Sequence, residues 1–405
     1  MRLPVIFIVF LFIVSFLIDV CISIDFKQMW RKKGMIGYIV FSLLCYADLI
    51  VAISLPRKDI DSGITAPMWL LFIFLTIYVG KALYLTCSLF GRLIRLAFKI
   101  NNNLYPFRLF GGFIGLVVIG VMWIGASYTR HHIQVVNEEF YSKKLPSAFE
   151  GYRIVQLSDL HVGTWGNDTV FLKNLVDTVN NLRPDLIVFT GDIVNRESRE
   201  LIPFTSVLSK LHAKDGVYSI LGNHDYGDYV DWSSPSDKER NMLQLKDYQR
   251  KMGWSMLNNE SVFIHKGNDS ILLIGVENWG EPPFPRYGDL DRALGAKGEQ
   301  KDNNYKLLLS HNPEHWNQEV SKNSNIDLTL SGHTHAMQTM IKIGDWKWSP
   351  AKYRYEQWGG AFNRFNQHGD KLDINVNTGS GAVGLPARLL SAFPEVTLIT
   401  LHKEK

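Results

Sequence analysis

Seven side chains in the second half of this 405-residue chain are of types that hold divalent cations: Asp159, His161, Asp192, Asn223, His311, His333 and His335. They fall in five short segments, SDLH (Ser158 to His161), TGD (Thr190 to Asp192), GNHD (Gly222 to Asp225), SHN (Ser310 to Asn312) and SGHTH (Ser331 to His335). Asp-x-His and His-x-His put alternate side chains on one face of an extended segment, so both members can reach a common centre. Seven oxygen and nitrogen donors exceed what one tetrahedral zinc with an open position takes, and suit two metals sharing a carboxylate. The absence of thiolate argues against an iron–sulfur cluster and for divalent Mn, Fe, Zn or Co. Any one of these residues alone reads equally well as a cap, a turn or a core group. The reading rests on all five segments in order. His212, His265, His315, His368 and His402 lack such context and read as structural or solvated.

Each segment follows an apolar strand candidate. Strands are expected at Tyr152–Leu157, Leu186–Thr190 and Val217–Leu221, with a first strand at His132–Tyr141 and later ones at 271–276, 306–310, 326–331, 373–377 and 396–401. Helical stretches around Thr169–Leu182 and 200–212 alternate with them, which argues for an α/β sheet with helices covering its faces. In such a sheet ligands bind beyond the carboxyl ends of the strands, so residues remote in sequence are expected on one rim. Gly379-Ser-Gly-Ala-Val-Gly384 fits a dinucleotide fingerprint, but the 21 residues after it, broken by Pro386 and Pro394, leave no room for the required βαβ unit. It reads as a turn-rich loop.

Composition divides the chain. It is 46% hydrophobic and 20% charged with 3 Cys, which excludes a disordered tail, a collagen-like fibre and a disulfide scaffold. The net charge of +4 combines +8 in residues 1–130 (13 Lys+Arg against 5 Asp+Glu) with −4 in residues 131–405. Four apolar runs, about 3–24, 35–55, 66–90 and 109–127, each have the length of a membrane span. A cleaved signal peptide is the rival for the first, but only Arg2 precedes it and no Ala-x-Ala-like site follows. Lys27, Arg31, Lys32, Lys33, Arg92, Arg95, Lys99 and Arg108 lie on one side. Arg2, Arg57, Lys58, Arg130, Lys143 and Lys144 lie on the other. That count places both termini and the catalytic half outside the cytoplasm, anchored to a cell inner membrane. Asp19 is expected to snorkel or cap, Asp48 and Lys81 to pair or to line a lipid-head site, and Gly111-x-x-x-Gly115 to permit close helix approach. All three cysteines lie in the spans, so redox compartment is not indicated. Arg130, His131 and His132 read as a solvated membrane-edge cluster.

The blocks D-x-H, G-D, G-N-H-[DE], H and G-H-x-H across residues 131–405 resemble those of calcineurin-like metallophosphoesterases. LPARLLSAFPEVTLITL and NTGSG look like the membrane-associated or exported bacterial branch, although Ala336-Met337 stands where that branch often has two glycines. The resemblance implies a fold of two packed mixed β-sheets flanked by helices, after a four-helix transmembrane region. It implies Asp159, His161 and His335 on one metal, Asn223, His311 and His333 on the other, and Asp192 bridging. A metal-bridging hydroxide would attack phosphorus, with His224 as general acid and Asp225 orienting it.

An aromatic stretch from Trp346 to Phe365 and the loop Trp279–Tyr287 read either as a mini-core or as a substrate rim at the membrane edge. The expected partners are membrane lipids and a phosphodiester or pyrophosphate substrate that is lipid-linked or from the envelope. Nucleic acid is not expected, because the catalytic half is net negative with no basic run. Two alternatives stand beside this: a cytoplasm-facing hydrolase of a nucleotide-linked lipid precursor, and a non-enzymatic membrane sensor with a relic metal site. A relic would be expected to have lost ligands or the acid, and every key position is filled.

Overall fold

The computed structural model describes residues 5–27, 32–55, 65–99, 105–282, 284–299, 304–323, 325–366 and 369–404. Arg2, Arg31, Arg57 and Lys58 of the orientation count, and His368, lie outside them. The chain divides into two compact units, residues 1–127 with 384–387 and residues 128–383 with 388–405.

The first unit contains four helices long and apolar enough to cross a membrane, α1 (Val5–Lys27), α2 (Lys32–Ser54), α3 (Thr65–Phe98) and α4 (Tyr105–Ser127). The third outruns the expected span because Arg92 does not end the helix: together with Arg108 of α4 it grips the buried carboxylate of Asp25, which also accepts from Ser88. The expected Asp48–Lys81 pair is not formed. Lys81 Nζ lies 2.8 Å from Asp19, and Asp19 also accepts from the hydroxyls of Tyr38, Tyr46 and Tyr78 at 2.6–2.8 Å. Asp19 therefore neither snorkels nor caps; it lies on the α1 face turned towards α2 and α3, where low polarity makes a paired carboxylate far cheaper than a free one. Asp48 Oδ2 is buried with no hydrogen-bond partner among the described residues. The expectation for Gly111 and Gly115 holds. A Cβ at Gly111 would come within 2.8 Å of Cys87 Cβ, and one at Gly115 within 2.8 Å of the Gly80 carbonyl.

The second unit is built on two six-stranded mixed sheets. Its strands are β1 (Gln134–Ser142), β2 (Tyr152–Leu157), β3 (Leu186–Phe189), β4 (Val217–Ser219), β5 (Ser255–Met256), β6 (Glu260–Lys266), β7 (Asp269–Gly275), β8 (Lys306–Leu309), β9 (Leu328–Ser331), β10 (Thr339–Ile343), β11 (Trp346–Trp348), β12 (Gly360–Phe365), β13 (Lys371–Val376), β14 (Leu389–Leu390) and β15 (Glu395–Lys403). One sheet runs β1-β15-β2-β3-β4-β5, the other β12-β13-β9-β8-β7-β6, and β11-β10-β14 form a small third sheet. Apolar runs buried on both faces place successive side chains in different layers. Leu186 and Val188 join Leu307, Leu309, Leu328 and Leu330 between the two large sheets. Ile187 and Phe189 point the other way, onto Leu172, Leu175 and Val179 of α5 (Val170–Asn181). Gln156 ties the sheets together, donating to the Ser331 carbonyl and accepting from Asn375, both at 2.8 Å.

The helix expected over 200–212 is instead a 3-10 turn, Ser198–Phe204, and one helical turn, α6 (Thr205–Leu208), because Pro203 removes an amide donor inside it. A further helix, α7 (Pro235–Lys251), begins at Ser234, whose hydroxyl accepts from the Asp237 amide. Arg130 and His131 lie against Trp165, Arg130 5.0 Å from the ring centre, rather than standing wholly in solvent.

Candidate metal centre

Strands β2, β3 and β4 are parallel neighbours, as are β8 and β9. Their carboxyl ends deliver SDLH, TGD, GNHD, SHN and SGHTH, and the seven expected side chains meet there. Asp159, His161 and His335 form one group and Asp192, His311 and His333 another, while His161, Asp192 and His224 form a third that shares members with both. In the first, His335 Nε2 lies 3.1 Å from both Asp159 Oδ1 and His161 Nε2. In the second, His311 Nε2 lies 3.1 Å from Asn223 Oδ1 and 3.2 Å from His333 Nδ1. Asp192 Oδ2 stands between, 3.6 Å from His161 Nε2 and 3.3 Å from His311 Nε2. The first group is buried throughout, whereas Asn223 and His333 are half-buried.

The backbone is bent to achieve this. Asp159, His161, Asp192, His333 and His335 all have positive φ, between 43° and 73°, a conformation rare outside glycine. A Cβ at Gly332 would collide with the Ser158 hydroxyl and the Asp159 carboxylate, so glycine is required where the two sheets bring their loops together.

The hydrogen bonds fix which atoms face inward. His311 Nδ1 meets the Thr190 carbonyl at 2.8 Å and His161 Nδ1 meets the Val194 carbonyl at 3.2 Å, so each ring turns Nε2 into the site. Lone pairs of nitrogen and carboxylate oxygen then converge at 3.1–3.6 Å, contacts that a cation among them would satisfy. Without one, the positive charge falls to His311. Burial alone would lower His311, but Asp192 pushes it up to about 9. Burial would raise Asp192, yet His311 and His224 hold it well below the usual carboxylate range. His333, desolvated and beside His311, falls to about 3. The chemistry of the donor set fits two divalent cations.

His224 Nδ1 lies 2.7 Å from the Asn195 carbonyl. Asp225, expected to orient that ring, is engaged elsewhere. Its buried carboxylate accepts from the amides of Asp192, Ile193 and Gly222 at 2.9 Å and of Val194 at 3.3 Å. A carboxylate saturated by four backbone donors staples the Asp192 and Gly222 loops together; among the described residues it makes no bond to the imidazole. Burial, with Asp192 next, raises it to about 7.

Three participants carried no motif. Asn195 acts through its carbonyl, which no side-chain type announces. Tyr229 accepts from Asn223 Nδ2 at 2.9 Å, and Tyr355 lies 3.1 Å from His333 Nε2. The aromatic stretch forms the expected mini-core in part, and one of its members enters the site. Trp358 is buried with Ala336, Met340, Ala351 and Ala392, Tyr355 reaches the site, and Trp346 and Tyr353 are exposed. In the second loop Trp279 is buried against His315, with the Arg286 guanidinium 3.8 Å from its ring centre.

Residues 152–337 match the calcineurin-like phosphoesterase family. The chain is 29% identical over 306 residues to the metallophosphoesterase YkuE of Bacillus subtilis, covering 72% of this chain and 95% of that one. It is 28% identical over 301 residues to the transmembrane protein with metallophosphoesterase domain of Danio rerio, covering 72% of this chain and 62% of that one. It is 27% identical over 262 residues to UDP-2,3-diacylglucosamine pyrophosphatase LpxG of Chlamydia trachomatis, covering 54% of this chain and 74% of that one.

Proposed function

We propose that this chain, which carries a calcineurin-like metallophosphoesterase domain and is a hydrolase of phosphoester bonds, is a membrane-anchored, dimetal-dependent enzyme cleaving a phosphodiester or pyrophosphate of a lipid or envelope substrate. The observation that carries it is Asp192 Oδ2 between two donor groups, within 3.6 Å of nitrogens from both. Asp159, His161 and His335 would hold one cation, Asn223, His311 and His333 the other, and Asp192 both. When bound, such a pair polarises phosphoryl oxygens and acidifies water.

The protein's own groups complete the chemistry. The Asn195 carbonyl holds the hydrogen of His224 on Nδ1, leaving Nε2 for the leaving-group oxygen. Burial lowers the pKa of His224, so the free ring is neutral; beside an anionic substrate it would take a second proton from solvent and give that proton to the departing oxygen. Asp225 holds the loops rather than the ring.

The four apolar helices support a membrane anchor, and the eight-against-six Lys/Arg count supports an extracytoplasmic catalytic half. A cytoplasm-facing enzyme acting on a nucleotide-linked lipid precursor is the second reading, favoured by the name of the chlamydial relative. A topology reporter fused after Lys405 separates them, since a cytoplasmic signal removes the first.

The test of activity uses the full chain in detergent, stripped with chelator and reloaded with Mn, Fe, Zn or Co. We expect two metals per chain and turnover of bis(p-nitrophenyl) phosphate or a lipid pyrophosphate that chelation abolishes. No turnover with any metal on monoester, diester or pyrophosphate would sink the proposal.

A further inference from the structure

The two donor groups are supported differently. In the first, the Val194 carbonyl backs His161 Nδ1. In the half-buried second, the Thr190 carbonyl backs His311, and tyrosine hydroxyls lie behind the other two members: Tyr229 on Asn223 and Tyr355 on His333. Neither belongs to a motif. Tyr229 lies in the loop after GNHD, its ring 4.4 Å from that of His224. Tyr355 precedes β12 and packs on the small cluster around Trp358.

Hydrogen-bond accounting shows what these hydroxyls have left to give. Asn223 turns Oδ1 to His311 and donates from Nδ2 to the Tyr229 oxygen. His333 turns Nδ1 to His311; with Nδ1 given to a cation, its hydrogen would sit on Nε2 and be donated to the Tyr355 oxygen 3.1 Å away. Each phenol has one hydrogen, and each oxygen is already accepting. Both hydrogens therefore remain to be donated, and among the described residues neither meets an acceptor. A phenol keeps its proton at neutral pH, so each hydroxyl is a donor.

We infer that Tyr229 and Tyr355 are substrate-binding residues that present two neutral donors to non-bridging oxygens of the phosphoryl group, on the open side of the site beside Asn223 and His333. This rests on the phosphoesterase reading above. It adds a function to both residues: each orients a donor atom behind it and binds the anion in front.

The experiment uses full-length Y229F, Y355F and the double variant, with inorganic phosphate as probe. Phenylalanine keeps the packing and removes only the hydroxyl. Metal content, the inhibition constant for phosphate, and KM and kcat on bis(p-nitrophenyl) phosphate are measured together. Each hydroxyl contributes about tenfold in phosphate inhibition and KM, the size of one lost hydrogen bond to an anion. Metal content stays at the wild-type value and kcat changes by less than about threefold, because ground state and transition state lose the same bond. Unchanged phosphate affinity with full metal content overturns the inference. So does loss of metal, which would confine the tyrosines to holding Asn223 and His333. Wild-type protein that is inactive with every metal overturns the functional reading itself, whereas active wild type with unaltered variants overturns only this inference.

Discussion

Asp19 in the helical unit and Asp192 in the catalytic unit are both buried carboxylates surrounded by groups that favour negative charge, and they differ in what remains unsatisfied. Asp19 receives three tyrosine hydroxyls and the Lys81 ammonium, which itself lies 4.4–5.3 Å from the centres of the Tyr38, Phe41 and Tyr78 rings. Donors and acceptors balance, and no further ion is called for. Asp192 faces His161 and His311 through nitrogens whose partners across each ring have already spent their hydrogens on carbonyls. There, once His311 gives up its second proton, acceptors meet acceptors. A buried charge that is fully paired reads as architecture; one that converges with unprotonated nitrogens reads as a binding site. Charge and burial alone do not separate the two cases, whereas hydrogen-bond direction does.

The contrast can be broken at either end. The largest effect is expected at His224, which belongs to the site without being assigned to a cation. His224→Ala should lower kcat by about 10²–10⁴-fold while elemental analysis finds the full metal complement. An unaltered rate would remove it from the mechanism. Next comes Lys81→Met, which strands the Asp19 carboxylate. A broken buried pair costs about 3–5 kcal/mol, so the detergent-solubilised protein should melt earlier, with metal content and rate per folded molecule unchanged. Metal loss in that variant would show that the two clusters are not independent.

Glu200 is the intermediate case and the smallest expected effect. Its Oε2 accepts from the amides of Asn195, at 2.6 Å, and Arg196, while Oε1 is buried without a partner among the described residues. Burial raises its pKa from 4.5 to about 7. Between those values the unfolded chain gives up a proton that the folded protein keeps, so stability falls as pH rises through the window. Glu200→Gln should flatten that fall and leave the variant the more stable by about 3 kcal/mol at pH 8, read from melting temperatures across pH 4–8. An identical slope in both proteins would deny Glu200 its role.

The metal-type residues were legible because apolar strands announce themselves. Tyr152–Leu157 is a strand at the expected residues, and the polar residues following β2, β3, β4, β8 and β9 lie at carboxyl ends where parallel strands must deliver them. Helix pairing was less legible, since which intramembrane acid meets which base depends on helix rotation. Lys81 chose Asp19, and Asp25, which no expectation covered, holds Arg92 and Arg108. Helix α7 has a polar sequence that buries Asn241, Leu245 and Gln249, so an apolar stripe does not mark it; Ser234-Pro235 at its start was the available signal. Asp225 misled because its neighbour in sequence is not its partner in space. Nothing in the residue types foretells that five of the candidate ligands occupy left-handed backbone.

Asp159, Asp192 and Asn223 come from one large sheet and His311 and His333 from the other, with Gln156 bonded across the seam. No contiguous fragment of either sheet carries a whole donor group. The constellation comes into being only when the two layers close, so any cation it takes up is bought by the folded sandwich alone and acts as a clasp upon it. Cation loading and the cohesion of the layers are thus one equilibrium observed from two directions.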